Sequence, residues 1–146
     1  MLRPSDFPAE GKILAIKEDS VVFQPRAATY ELWLHADPKL DGATNEPVTC
    51  LIRLSARKVY SVAGGGNIIA PIAGPPRFVQ GRIKYLDAQQ MVVQAGVSVV
   101  VDLPEDDSAY DLACGSLVVG RLVNISALPG ATMQPAAATR GNQTDP

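Results

Sequence analysis

Apolar and polar residues alternate along much of this chain with a period of two, the pattern of half-buried β-strands. The clearest case is residues 29–35, TYELWLH, where Tyr30, Leu32 and Leu34 fall on one face and Thr29, Glu31, Trp33 and His35 on the other. Residues 12–17 (KILAIK) and 20–24 (SVVFQ) flank the polar break Lys17-Glu18-Asp19-Ser20 and read as a hairpin. Residues 48–54 give a further strand, with residues 58–62 continuing it after a bend. A second hairpin follows: residues 78–86 (FVQGRIKYL), a turn at 87–90, and residues 91–95 (MVVQA). Residues 97–101 suit a buried strand, and residues 117–125 supply the last one, with Gly120 marking a bulge or sharp bend. Pro104 followed by Glu105, Asp106 and Asp107 is a helix-start signal, and Gly115 is a stop, so one short helix is expected near 104–113. Residues 37–47 and 63–76, rich in Gly and Pro, read as connections. The resulting division is a flexible arm at 1–9, a single β domain at 10–127 and a disordered tail at 128–146.

The two halves agree locally at an offset of 70 residues. Gly11 meets Gly81, Ile13 meets Ile83, Val22 meets Val92 and Gln24 meets Gln94. Each half would then contribute a strand pair to a common architecture. The expected class is all-β: a small barrel or sandwich of short antiparallel strands, with one barrel and two packed sheets both open. Residues 78–125 also carry the strand order Gly81-Arg82-Ile83-Lys84-Tyr85-Leu86, a Val-rich return, a third strand, a short helix and a Gly-containing strand. In that order the segment resembles an OB-fold barrel.

Composition narrows the function classes. With 146 residues, 47% hydrophobic and 19% charged, the chain is long enough to bury a core without a disulfide or metal. Thirteen Lys+Arg against 15 Asp+Glu give a net charge of −2, which argues against a polybasic nucleic-acid coat or membrane anchor. No long uninterrupted apolar segment is present, so no membrane span is expected. Two cysteines, Cys50 and Cys114, form no CxxC; two buried thiols in a cytoplasmic protein are expected.

Catalytic chemistry finds little support. The single histidine, His35, has no nucleophile motif such as GxSxG to serve. Three His and Cys residues are too scattered for zinc, and Glu105, Asp106, Asp107 and Asp111 lack the spacing of a calcium loop. Gly64-Gly65-Gly66 lacks the Lys-Ser/Thr ending of a phosphate loop. No catalytic residue, metal or cofactor is therefore assigned.

Two binding readings remain. Trp33, a large ring on an otherwise polar face, is a candidate anchor for self-association or a protein partner. Arg53, Arg57, Lys58 and Tyr60, with Arg82 and Lys84, interleave cations and rings; the alternative reading is a binder of single-stranded nucleic acid or oligosaccharide. Strand alternation places Arg82 and Lys84 on one face, with Ile83 and Tyr85 opposite. The leading expectation is a non-enzymatic β-barrel module for binding or assembly.

Overall fold

The structure, a computed structural model, describes residues 1–36 and 44–136. The strands in chain order are β1 (Ala9–Ile16), β2 (Ser20–Pro25), β3 (Glu31–Ala36), β4 (Pro47–Ser61), β5 (Ile68–Ala70), β6 (Ala73–Gly74), β7 (Phe78–Leu86), β8 (Gln90–Gln94), β9 (Ser98–Asp102), β10 (Tyr110–Asp111), β11 (Leu122–Ala127) and β12 (Thr132–Pro135). The all-β barrel expectation holds.

Backbone pairing closes two five-stranded rings. In the first, β1 pairs with β2, β2 with β3, β3 with β12, β12 with β4, and β4 with β1. In the second, β7 pairs with β8, β8 with β9, β9 with β4, β4 with β11, and β11 with β7. The long strand β4 serves both rings. Residues 47–53 pair within the first and residues 53–61 within the second. One contact in each ring is parallel: β3 with β12, and β9 with β4. Ring closure removes the open edges that short apolar strands would otherwise expose.

The two hairpins share a register. Ile13 lies opposite Phe23 and Ala15 opposite Val22, so Leu14 is an extra, bulged residue. Seventy residues on, Ile83 lies opposite Val93 and Tyr85 opposite Val92, with Lys84 bulged. Gly11 and Gly81 occupy matching points where the partner strand passes close. A Cβ on Gly11 would strike the carbonyl oxygen of Gln24, and one on Gly81 that of Gln94. Of the residues that coincide at the 70-residue offset, Gly11 and Gly81 are the pair that this close approach requires.

Inward side chains of both rings join in one core, including Phe23, Leu34, Ile52, Leu54, Met91, Val101 and Ile125. On β4, Cys50, Ile52, Leu54 and Ala56 alternate inward, then the pattern slips. Ser126 faces Lys58 while Ala127 faces Ala56, leaving Arg57 as a bulge. Val59 and Ser61 restore the buried series.

Several expectations are corrected. Residues 104–113 form no α-helix; only a 3-10 turn, Asp107–Ala109, is present. The Asp106 side chain caps it by accepting from the Ser108 N–H, and Tyr110 and Asp111 then leave to pair with β4. The segment lacks the apolar stripe that would hold a helix on the core. The strand expected over 117–125 is β11, which starts only at Leu122, after Gly120 takes a left-handed φ of 96°. Residues 132–135, expected within a disordered tail, are strand β12, and Met133 is fully buried in the core. The remainder of that tail, 137–146, and most of the 37–47 loop lie outside the described residues. Pro4–Asp6, in the expected arm, form a 3-10 turn that packs against β8, and Ala9 already opens β1. Among the described residues no helix is long and apolar enough to cross a membrane.

Candidate functional site

The bulge at Leu14 turns Ala15 outward, in line with Val22 and Trp33 on the neighbouring strands. Leu32 and Leu34, on either side of Trp33, are buried in the core, so strand alternation drives the indole out. Trp33 keeps 48% of its surface exposed. The Lys17 ammonium lies 6.0 Å from the ring centroid, at the limit of a cation–π contact. Val22 is buried to 9% yet stands apart from the core cluster, as expected for an outward residue beside the indole. The first ring thus presents an apolar row, Ala15–Val22–Trp33, with Glu31 and His35 exposed along the same strand.

The same row exists on the second ring, and there it is covered. Tyr85, Val92 and Val100 are in register, and Val100 lies opposite Arg53. Val92 and Val100 are outside the core cluster, yet their exposures are 0% and 4%. The turn at Pro4–Asp6 packs against β8, and the Phe7 ring lies 6.1 Å from that of Tyr85 at a 47° tilt. The chain's own N-terminal arm therefore covers this row. Tyr85 is also fixed from its hydroxyl, which donates to Asp87 Oδ2 at 2.6 Å. That bond raises the Tyr85 pKa and, with the N–H groups of Gln89 and Gln90, lowers that of Asp87. The sequence reading that opposed Tyr85 to Arg82 is corrected: the bulge at Lys84 turns Tyr85 outward.

The basic residues divide into three environments. Arg53 makes a two-pronged ion pair with Asp102, Nε to Oδ2 at 2.8 Å and Nη2 to Oδ1 at 3.0 Å. The bonded Asp102 carboxylate stabilises its charge and raises its pKa. Gln90 donates to the same carboxylate, so Arg53 belongs to a built network between β4, β8 and β9. Arg57, on its bulge, donates to Ser126 Oγ at 3.2 Å, and Lys58 beside it is exposed. Register places Lys58, Ser126 and Phe78 in one row, and Tyr60, Asn124 and Gln80 in the next. At strand spacings near 4.8 Å, Lys58 and Phe78 stand about 10 Å apart across β11. Arg82 and Lys84 lie farther along β7; Arg82 Nη1 donates to the Gly120 carbonyl at 3.1 Å.

The glycine run lies on that face. Gly66 N–H donates to Gln80 Oε1, and Gln80 donates to Asn124 Oδ1 at 2.6 Å. Gly65 sits at φ 148°, where a Cβ would strike the Gln80 side chain. The loop therefore rests on Gln80, between the Lys58 row and Arg82. Arg57, Lys58 and Tyr60 are brought together with Phe78; Arg53 is engaged elsewhere, and Arg82 and Lys84 stand apart.

Cys50 is buried, and desolvation pushes its thiol pKa up to about 12. Cys114 is exposed, which corrects the expectation of two buried thiols. Among the described residues no three His, Cys, Asp or Glu side chains gather into a metal-binding group. A shallow cleft of about 770 Å³ opens beside Gly11, Gln24, Pro25 and Thr49. Among the described residues its walls contain no His, Cys or Ser. Sequence reading missed it, because it arises from the meeting of β1, β2 and β4 rather than from any one strand. The chain matches no protein-family model, no curated protein and no solved structure.

Proposed function

We propose that the chain is a non-enzymatic binding module, acting through self-association or a protein partner, with the Trp33 row of the first ring as its contact surface. One observation carries the reading: two rows of matching register stand on the two rings, and among the described residues Trp33 keeps 48% of its surface exposed where Val92 and Val100 of the other row keep 0% and 4%. Burying the exposed half of an indole removes about 100 Å² from water and is worth roughly 2–3 kcal/mol. A rigid aromatic anchor of this size is typical of contact hot spots. The free thiols, one buried and one exposed, accord with a reducing compartment such as the cytoplasm. Trp33 is the only tryptophan, so its emission reports this surface alone. On association the emission should move to shorter wavelength, and Trp33→Ala should abolish association while the circular dichroism stays that of a β protein. Unchanged association by a folded Trp33→Ala variant would overturn the proposal.

A second reading rests on the outward face of β4, β11 and β7. Arg57 and Lys58 form none of the ion pairs seen among the described residues, and Tyr60 and Phe78 lie close by. Charge for phosphates and rings for bases suit single-stranded nucleic acid. The second ring has five strands, but its fifth comes from β4, earlier in the chain, and the helix of the OB-like order is replaced by the 3-10 turn Asp107–Ala109. Anisotropy of labelled single-stranded DNA and RNA at low and moderate salt tests this reading. It requires binding that weakens with salt and is lost in the Arg57→Glu, Lys58→Glu double variant. No binding at low salt removes it.

A further inference from the structure

Between β10 and β11 the chain forms an apolar ridge at one end of the second ring. Val118 and Val119 there keep 46% and 64% of their surface exposed. The Arg121 N–H donates to the Val118 carbonyl at 3.0 Å, and Gly120, at φ 96°, takes the third position of this β-turn. The turn is fastened to β7, since Gly120 N–H donates to the Ile83 carbonyl and Ile83 N–H to that of Arg121. The Arg121 side chain braces the approach by donating to the carbonyls of Cys114 and Ser116. The Cys114 N–H is held in turn by Ser61 Oγ. Two exposed valines thus ride on a backbone fixed from several sides, so little ordering remains to oppose a contact.

Residues 117–119 divide two hollows. On one side Tyr110, Leu112 and Leu117 line a shallow, largely apolar hollow of about 530 Å³, and the charge in its wall is Asp107. On the other side Val118 and Val119 line a hollow of about 370 Å³ together with Arg82 and Arg121. Arg82 and Arg121 direct their N–H groups to carbonyls, which orients both cations without neutralising them. Among the described residues, none of Asp107, Arg82 and Arg121 takes part in an ion pair. Every residue of the ridge and of both hollows is described.

Going beyond the Trp33 reading, we infer that this ridge pairs two copies of the chain about a two-fold axis. The charges select the second copy as occupant, because an acid on one side of an apolar ridge and bases on the other are self-complementary. The axis runs parallel to the ridge, on its Asp107 side. Rotation about it lays the valines of each copy into the apolar hollow of the other. It also brings Arg82 and Arg121 of each copy towards Asp107 of the other. An axis across the ridge would set acid against acid. The Trp33 row is left free for a contact of its own.

The test is sedimentation of the full chain up to millimolar concentration. The expected result is a monomer–dimer equilibrium, with Trp33 emission unmoved because the indole belongs to the first ring. Val119→Ser should weaken pairing about tenfold, since a two-fold contact feels each substitution twice. Asp107→Arg and Arg82→Asp should each weaken it as well. Mixing those two variants should restore pairing as a heterodimer, because each then meets the opposite sign. Val119 and Asp107 are exposed, so their variants should keep the circular dichroism of the wild type. A monomer at millimolar concentration, a folded Val119→Ser variant that pairs as the wild type does, or a mixture no tighter than its components would overturn the inference. Pairing that survives Val119→Ser and is lost in Trp33→Ala would also overturn it and assign the contact to the first ring. The Trp33 reading is tested apart from this one in the Val119→Ser background, where the ridge no longer holds two copies together.

Discussion

Lys84, Leu14 and Arg57 are each the extra residue of a β-bulge, and one such residue reassigns every side chain beyond it. This is why alternation located Trp33 correctly and misplaced Tyr85. Between Glu31 and Ala36 the strand runs without interruption, while between Ile83 and Tyr85 it does not. No residue type at Lys84 announces the slip, since a lysine serves an exposed bulge and an exposed strand position equally. The cysteines show the same boundary between what is legible and what is not. Cys50 sits in an apolar run and is buried; Cys114, between Ala113 and Gly115, sits in no such run and is exposed. One thiol per chain should therefore react rapidly with a disulfide reagent, and the second only on unfolding. The Cys50 pKa of about 12 lies above its ordinary 9.0, so the unfolded chain gives up this proton first as pH rises. The associated stability is complete below pH 9 and falls between about 9 and 12. Denaturant titrations should show wild type losing stability across that window relative to Cys50→Val; parallel curves would contradict the assignment.

At the scale of elements, the hairpins were the most legible feature, because short β-rich runs around a polar break are a local signal. The turns that join them are built alike, Lys17 N–H donating to the Ser20 carbonyl and Asp87 N–H to that of Gln90. The second turn is further fastened by Asp87 Oδ1, which accepts from the N–H groups of Gln89 and Gln90. Close strand contact at Gly11 and Gly81 is the element-level constraint that the sequence match at an offset of 70 reflects. Gly81→Ala should cost roughly 2–4 kcal/mol, read as a lower denaturant midpoint, because backbone rather than a flexible side chain must move. Gly66→Ala, where a Cβ meets nothing within 4 Å, should change stability by less than about 0.5 kcal/mol. Equal effects of the two would refute the close-approach argument. The expected helix failed for the opposite reason. Capping signals around Pro104 and Asp106 were real, but they start a single turn when no apolar face follows.

The whole molecule was the least legible scale, because ring closure depends on pairings between residues far apart in sequence. Nothing local in residues 132–135 distinguishes a tail from the strand that completes the first ring. Nor does residue type show that β4 changes rings near Arg53. Sharing one strand couples the rings mechanically. Leu54, 3% exposed at the middle of β4, should on replacement by Ala cost about 2–5 kcal/mol. Trp33 emission, which reports the first ring, and the amide signals of β8, which report the second, should lose the same amount and share one midpoint. Separate midpoints would mean that the rings unfold independently.

The exchange of strands between rings also sets an order of events during synthesis. All five strands of the second ring lie within residues 53–127, so it can close as soon as β11 is available. The first ring starts at Ala9 but waits for residues 132–135, more than a hundred positions later. While the chain is being made, β1, β2 and β3 are therefore an open sheet whose β3 edge is paired by β6 only at Glu31 and Leu32 and stays free at His35 and Ala36 until β12 arrives. The ring that emerges first is completed last, and its exposed edge is the part of a growing chain most in need of shelter from neighbouring chains.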